Sequence, residues 1–253
     1  MKRISIVGLF LAAVFALSAM AASSASAAGL LLARVAGGES IAGVTFLSFV
    51  NLPLLTTHGG KLIHCKDATN HGLWLSSTLG HILVRFLGCT VFGTGFECNT
   101  AGAAAGEIHL PLATTTFHLG LAHLTLTSGN IPAIVILLEK DVNLSCAGGL
   151  ASILVLGSVI GALQLDPSEK PIPLNKPVAN AILNFQQTAH GLQHLRLFLF
   201  EHVLRTYDLH SITTELGTEG PVELSAELAL VLLDLFLLPG NPPKHVEIEL
   251  FKS

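Results

Sequence analysis

The sequence predicts an all-β protein, an antiparallel sandwich or barrel-like domain with two disulfides and room for one C-terminal helix. Three observations carry that expectation. The chain breaks into many short runs of alternating apolar and polar residues, bounded by Gly, Pro, Asn or Ser. It holds four cysteines, an even number that can pair completely. It opens with an export signal, which would carry those cysteines into an oxidising compartment.

Lys2 and Arg3 form a basic start, Ile4 to Leu17 is apolar, and Ala25-Ser26-Ala27 is the small-x-small pattern that signal peptidase reads. Cleavage is expected after Ala27, leaving residues 28–253 as the mature β-rich domain. An uncleaved anchor competes, because Ile4 to Ala22 nearly spans a membrane. The Ala/Ser-rich end from Ser18 favours cleavage. Losing Lys2 and Arg3 reduces 13 basic residues to 11 against 17 acidic ones, a net charge of −6. Such a chain has no electrostatic footprint for nucleic acid or an anionic membrane surface. Leu228 to Leu238 is the nearest approach to a second span, and Asp234 and Pro239 interrupt or end it. The location expected is therefore secreted or in the cell envelope, with no stable membrane span after cleavage.

Residues 28–60 are poorly patterned, with a first weak strand over Val44 to Leu54. Lys61 to Lys66, Trp74 to Ser76 and Ile82 to Leu87 read as short strands. Thr90 to Phe92 and Phe96-Glu97 read as a hairpin whose Gly93 and Gly95 supply the positive φ of a tight turn. Ala101 to Gly106 is too small to pack and reads as a loop. Strands follow at Glu107 to Leu112 and Thr115 to Thr127, the latter with a phase change near Ala122-His123 that suggests a turn or bulge. Ile134 to Leu138, Val142 to Cys146 and Ser152 to Ile160 come next. Asp166 to Pro177 is proline-rich and reads as a loop or a subdomain boundary over 166–177. Ala179 to Gln187 and Leu192 to Leu209 alternate, and Thr206 to Thr214 is polar. Val222 to Leu238 is ambiguous, with helical propensity in its Ala, Leu and Glu but strand-like alternation in Val222 to Ser225. Val246 to Leu250 is the last strand.

Cys89 and Cys98 flank the hairpin, and cross-strand neighbours lie within disulfide reach. The expected bridges are therefore Cys89–Cys98 and, by remainder, Cys65–Cys146.

Several framework segments carry a resemblance. They are Gly59-Gly60-Lys61 with Cys65-Lys66, Phe86 to Cys89, Cys98 to Ile108, Leu144-Ser145-Cys146, Gly157 to Gly161 and Leu183 to Gln187. In that order and spacing the chain resembles a family of exported four-cysteine, β-rich proteins from soil actinobacteria, over about Gly59 to Gln187. The resemblance implies a framework and brings no activity, cofactor or catalytic residue.

The residues themselves point to no chemistry. Twelve histidines raise the question of a metal. His190 and His194 would share a helix face, but Gly191 and the alternation after Leu192 favour a strand, which sets them about 13 Å apart. Glu201-His202 sits on a later segment, and His58, His64, His71 and His81 lack ligand spacing. Gly38 to Gly43 has one residue too many for a nucleophile elbow. Gly102 to Gly106 lacks the ending of a phosphate loop. Glu223 with Glu227, and Glu247 with Glu249, read as charged faces of amphipathic segments. No catalytic, cofactor-binding or metal residue is assigned. The reading is a non-catalytic exported β-domain with a structural or interaction role in the envelope. The alternatives are a binding module for an apolar small molecule or lipid and, behind it, a secreted hydrolase.

Overall fold

The computed structural model describes residues 30–51, 54–57, 62–91, 93–123, 130–165, 170–185, 197–200, 203–206, 209–215, 218–227, 231–238 and 244–253. Among these there is no α-helix, only two single-turn 3-10 segments at Leu112–Thr114 and Ala147–Gly149.

Most of the chain is a meander. After β1 (Leu31–Val35), the first stave is β2 (Thr45–Asn51) followed by β3 (Leu54–Thr57). It turns back into the second stave, β4 (Leu62–His64) and β5 (Asp67–Trp74). The third is β6 (Leu79–Leu87) and β7 (Thr90–Val91). The fourth comes in three pieces, β8 (Cys98–Thr100), β9 (Ile108–Leu110) and β10 (Thr115–His123). The long strands β11 (Asn130–Cys146) and β12 (Ala151–Gln164) are the fifth and sixth. After β13 (Pro177–Val178), the seventh stave is split between β14 (Ala181–Asn184) and β17 (Leu209–Glu215). The hairpin of β15 (Leu197–Phe200) and β16 (Val203–Thr206) lies between its pieces. The eighth is β18 (Thr218–Glu227) and β19 (Val231–Leu238), followed by β20 (Lys244–His245) and β21 (Ile248–Lys252).

The eighth stave pairs back onto the first, β18 with β3 and β19 with β2, so the curled sheet closes into a ring. Consecutive staves are neighbours and every pairing is antiparallel, which makes an up-and-down barrel. The stagger can be followed through direct partners. From Glu227 they run through Leu54, His64, Thr90 and Glu97, then from adjacent Cys98 through Cys146, Ala151 and Glu215 to Thr218. The circuit returns to the eighth stave about ten residues from its start, and a closed barrel needs such a stagger for its strands to tilt.

Alternation decides which residues face inward. On the second stave Ala68, Asn70, Gly72 and Trp74 are buried while Asp67 and His71 are exposed. On the third, Gly80, Ile82, Val84 and Phe86 are buried, and each stands opposite a buried partner of the second. Phe46, Phe117, Leu119, Ile134, Ile136, Val159 and Leu163 continue this interior around the ring. Burying one such side chain contributes about 1.5–3 kcal/mol. A three-stranded sheet, β1–β21–β13, covers one end. Its Leu31, Ala33, Val35, Val178, Ile248 and Leu250 join the same core, and the Ala33 amide donates to the Ser77 carbonyl at 2.8 Å. A smaller cluster lies on the outer face, where Ala122, Ala133, Val135, Ile160 and Ala162 pack with Phe198 of β15.

Several expectations change. The ambiguous segment Val222 to Leu238 is strand, not helix, in both described pieces. The apolar run after residue 30, expected to be unpatterned, contains β1. Ile134 to Leu138 and Val142 to Cys146 belong to one strand, with a register shift between Leu138 and Val142 in place of a turn. The phase change near Ala122-His123 produces no bulge up to His123, where β10 keeps one register against β11, and the rest of that predicted run, 124–127, lies outside the described residues.

The disulfide pairing is also corrected. The bridges are Cys65–Cys89 and Cys98–Cys146, not Cys89–Cys98 and Cys65–Cys146. The expected hairpin is present, with Thr90 opposite Glu97, and Gly93 and Gly95 at φ of 79° and 69°. That register does set Cys89 beside Cys98, but the Cys98 amide donates to the Cys89 carbonyl at 3.0 Å. Hydrogen-bonded pairs are the wide pairs of an antiparallel ladder, about 5.5 Å between Cα atoms. The outer neighbours are closer, 3.9 Å for Cys65 and Cys89 and 4.1 Å for Cys98 and Cys146. Each hairpin cysteine therefore bonds outward, and the four sulfurs form one buried row across four neighbouring strands.

Candidate functional site

The interior wall built by the first four staves is apolar with a few polar interruptions. Ser48, Asn70, Trp74 and Thr115 all face inward and are between 0% and 6% exposed. Asn70 stands opposite Ser48 in the β2–β5 ladder, and its amide donates to the Ser48 hydroxyl at 2.8 Å. The Asn70 Oδ1, the Trp74 indole nitrogen and the Thr115 hydroxyl have no hydrogen-bond partner among the described residues. Leaving such a group buried and unsatisfied costs about 1–3 kcal/mol.

Register places the three on neighbouring staves of one side of the wall. Asn70 and Trp74 flank Gly72 on the inner face of β5. Gly72 is opposite Ile82, and the pairing of Thr116 with His81 sets Thr115 level with Ile82. The unpartnered atoms thus surround a single row of three adjacent staves. Aromatic rings bound that row. A Cβ on Gly72 would lie 2.0 Å from Phe46 Cζ, and one on Gly80 would lie 2.2 Å from Phe117 Cζ. These glycines exist to admit the two rings. Phe117 packs edge-on against Phe46 at 5.6 Å and against Trp74 at 4.8 Å between centroids. Each such pair contributes about 0.5–1.5 kcal/mol beyond burial.

None of the described inward-facing wall side chains is charged. Asp67, His71 and Arg85 project outward, and Glu139, Lys140 and Asp141 occupy the irregularity in β11. No helix among the described residues is long and apolar enough to cross a membrane.

The residues singled out from sequence do not assemble a site. His58, His190, His194, Glu201 and His202 lie outside the described residues. Among the described residues no group of three or more His, Cys, Asp or Glu could hold a metal ion. Glu247 is exposed, while Glu249 is buried and accepts from Arg34 Nε at 3.0 Å. The Arg34 guanidinium also sits over the Phe251 ring at 4.6 Å, so this carboxylate is a structural partner. Glu223 and Glu227 fall on β18. The four cysteines are disulfide-bonded, which is the chemistry of an oxidising, extracytoplasmic compartment. Asn70, Trp74 and Thr115 were not apparent in advance. Alternation can assign them to a buried face, but their lack of partners depends on staves paired elsewhere. Comparison with protein-family models, curated proteins and solved structures returns no match.

Proposed function

We propose that the protein is an exported, non-catalytic barrel that binds a small apolar molecule in its interior. An eight-stranded barrel is wide enough either to be filled by side chains or to hold one small ligand. Ligand sites are mostly apolar, with a few polar groups aimed at the bound molecule. The observation that carries the reading is the set of unpartnered polar atoms at Asn70, Trp74 and Thr115 on the described, largely apolar part of the inner wall. The N-terminal signal pattern, the two disulfides and the resemblance to exported actinobacterial proteins support export.

A structural or interaction role in the envelope is the second reading. Phe96 is 53% exposed and Leu150 is 71% exposed, on adjoining turns beside the Cys98–Cys146 bridge. The test of the first reading is organic extraction of the purified exported protein followed by mass spectrometry. It should release an apolar compound in near-stoichiometric amount. A clean protein that also takes up no apolar fluorophore would overturn the binding reading and leave the second.

A further inference from the structure

We infer that the mature chain reaches its native bridges by way of a transient, non-native Cys89–Cys98 bridge, and that its folding partner is a thiol–disulfide isomerase, a protein that supplies an attacking thiolate.

The hairpin that sets Cys89 beside Cys98 is self-contained. The Cys98 amide donates to the Cys89 carbonyl at 3.0 Å, the Val91 amide to the Phe96 carbonyl at 2.8 Å, and the Thr94 hydroxyl to the Val91 carbonyl at 3.1 Å. Gly93 and Gly95 take the positive φ of the turn. All of these groups lie within residues 89–98, so the hairpin can form before any other stave arrives. The native partners depend on more of the chain. Cys65 meets Cys89 where β4 pairs with β7, and Cys98 meets Cys146 where β8 pairs with β11. Cys89 and Cys98 are nine residues apart, against separations of 24 and 48 for the native pairs. Loop-closure entropy alone favours the short loop about fourfold over the first native pair and about twelvefold over the second. A hydrogen-bonded cross-strand pair, about 5.5 Å between Cα atoms, is within disulfide reach.

Two routes lead on from Cys89–Cys98. With Cys65 still reduced, its thiolate attacks the Cys89 sulfur, forms Cys65–Cys89 and releases the Cys98 thiolate, with no net oxidation. A two-electron oxidant such as glutathione disulfide then joins Cys98 to Cys146 and leaves as two molecules of glutathione. On the other route Cys65 and Cys146 are oxidised together first. That species holds no free thiol, so it rearranges only by attack of an external thiolate. Closure of the barrel ends the opportunity, because all four cysteines are 0% exposed in the folded protein. Exchange therefore precedes closure.

The test is refolding of the fully reduced mature protein in a glutathione redox buffer, with samples blocked by N-ethylmaleimide and mapped without reduction. Cys89–Cys98 should be the most abundant bridge in the earliest samples, at least threefold above Cys65–Cys89, and should vanish as the native bridges accumulate. Refolding with diamide, an oxidant that supplies no thiol, should leave Cys89–Cys98 at the end point. Adding protein disulfide isomerase with reduced glutathione should then convert it to the native pairing at least fivefold faster than glutathione alone. Native bridges that lead in every sample, with no Cys89–Cys98 peptide, would overturn the inference. Rearrangement as fast without the isomerase as with it would overturn the need for that partner.

Discussion

At Gly72 the barrel wall depends on a side chain that is absent. The Phe46 ring occupies the space where a Cβ would stand, and it is fixed there by Phe117. Gly72→Ala should therefore overpack the core and destabilise the protein by about 2 kcal/mol. Urea unfolding followed by Trp74 emission measures this, and an unchanged midpoint would mean that Phe46 moves freely. Thr115 should behave in the opposite sense. Its hydroxyl is fully buried without a partner, so Thr115→Val should stabilise the unliganded protein by about 1 kcal/mol. A loss of stability there would show that the hydroxyl is satisfied within the fold. Such trade-offs are expected where a group is kept for binding. The sequence shows Asn70, Gly72 and Trp74 on one face of an alternating run. It does not show that Phe46 fills the glycine's space, because that contact belongs to a different stave.

At the scale of elements, the row of cysteines is the clearest case. The hairpin from Thr90 to Glu97 was legible from its glycines and its spacing, and it formed. Which neighbour each cysteine bonds was not legible. Hydrogen-bond phase sets the Cys89 to Cys98 spacing, while the nearer partners arrive from strands 24 and 48 residues away. By loop-closure entropy the Cys65–Cys89 bridge contributes about 3.5 kcal/mol and the Cys98–Cys146 bridge about 4 kcal/mol. Replacing either pair with serine should lower the melting temperature by similar amounts, slightly more for Cys98 and Cys146. Non-reducing peptide mapping should recover the peptides Cys65–Cys89 and Cys98–Cys146, and a Cys89–Cys98 peptide would contradict the ladder register. The segment from Val222 to Leu238 teaches a related lesson. Its Leu, Ala and Glu favour a helix locally, yet β18 and β19 have ladder partners on both sides, in β17 and β3 and in β14 and β2. Tertiary pairing outweighs propensity when both edges of a strand are satisfied.

At the scale of the molecule, the all-β class was legible from short alternating runs, and a far-ultraviolet circular dichroism spectrum should show β-structure without a helical signature. Sandwich and barrel could not be separated from sequence, because closure depends on the last stave finding the first across most of the chain. That closure turns a row of inward side chains into an enclosed interior, and Trp74, the chain's one tryptophan, stands within it at 2% exposure. The most direct measurement is therefore quenching of Trp74 emission by a small bromine-bearing apolar compound. A barrel that takes an apolar ligand inside should show saturable quenching at about one molecule per chain, lost on competition with the unbrominated compound. Unchanged Trp74 emission through the titration would contradict an interior binding site.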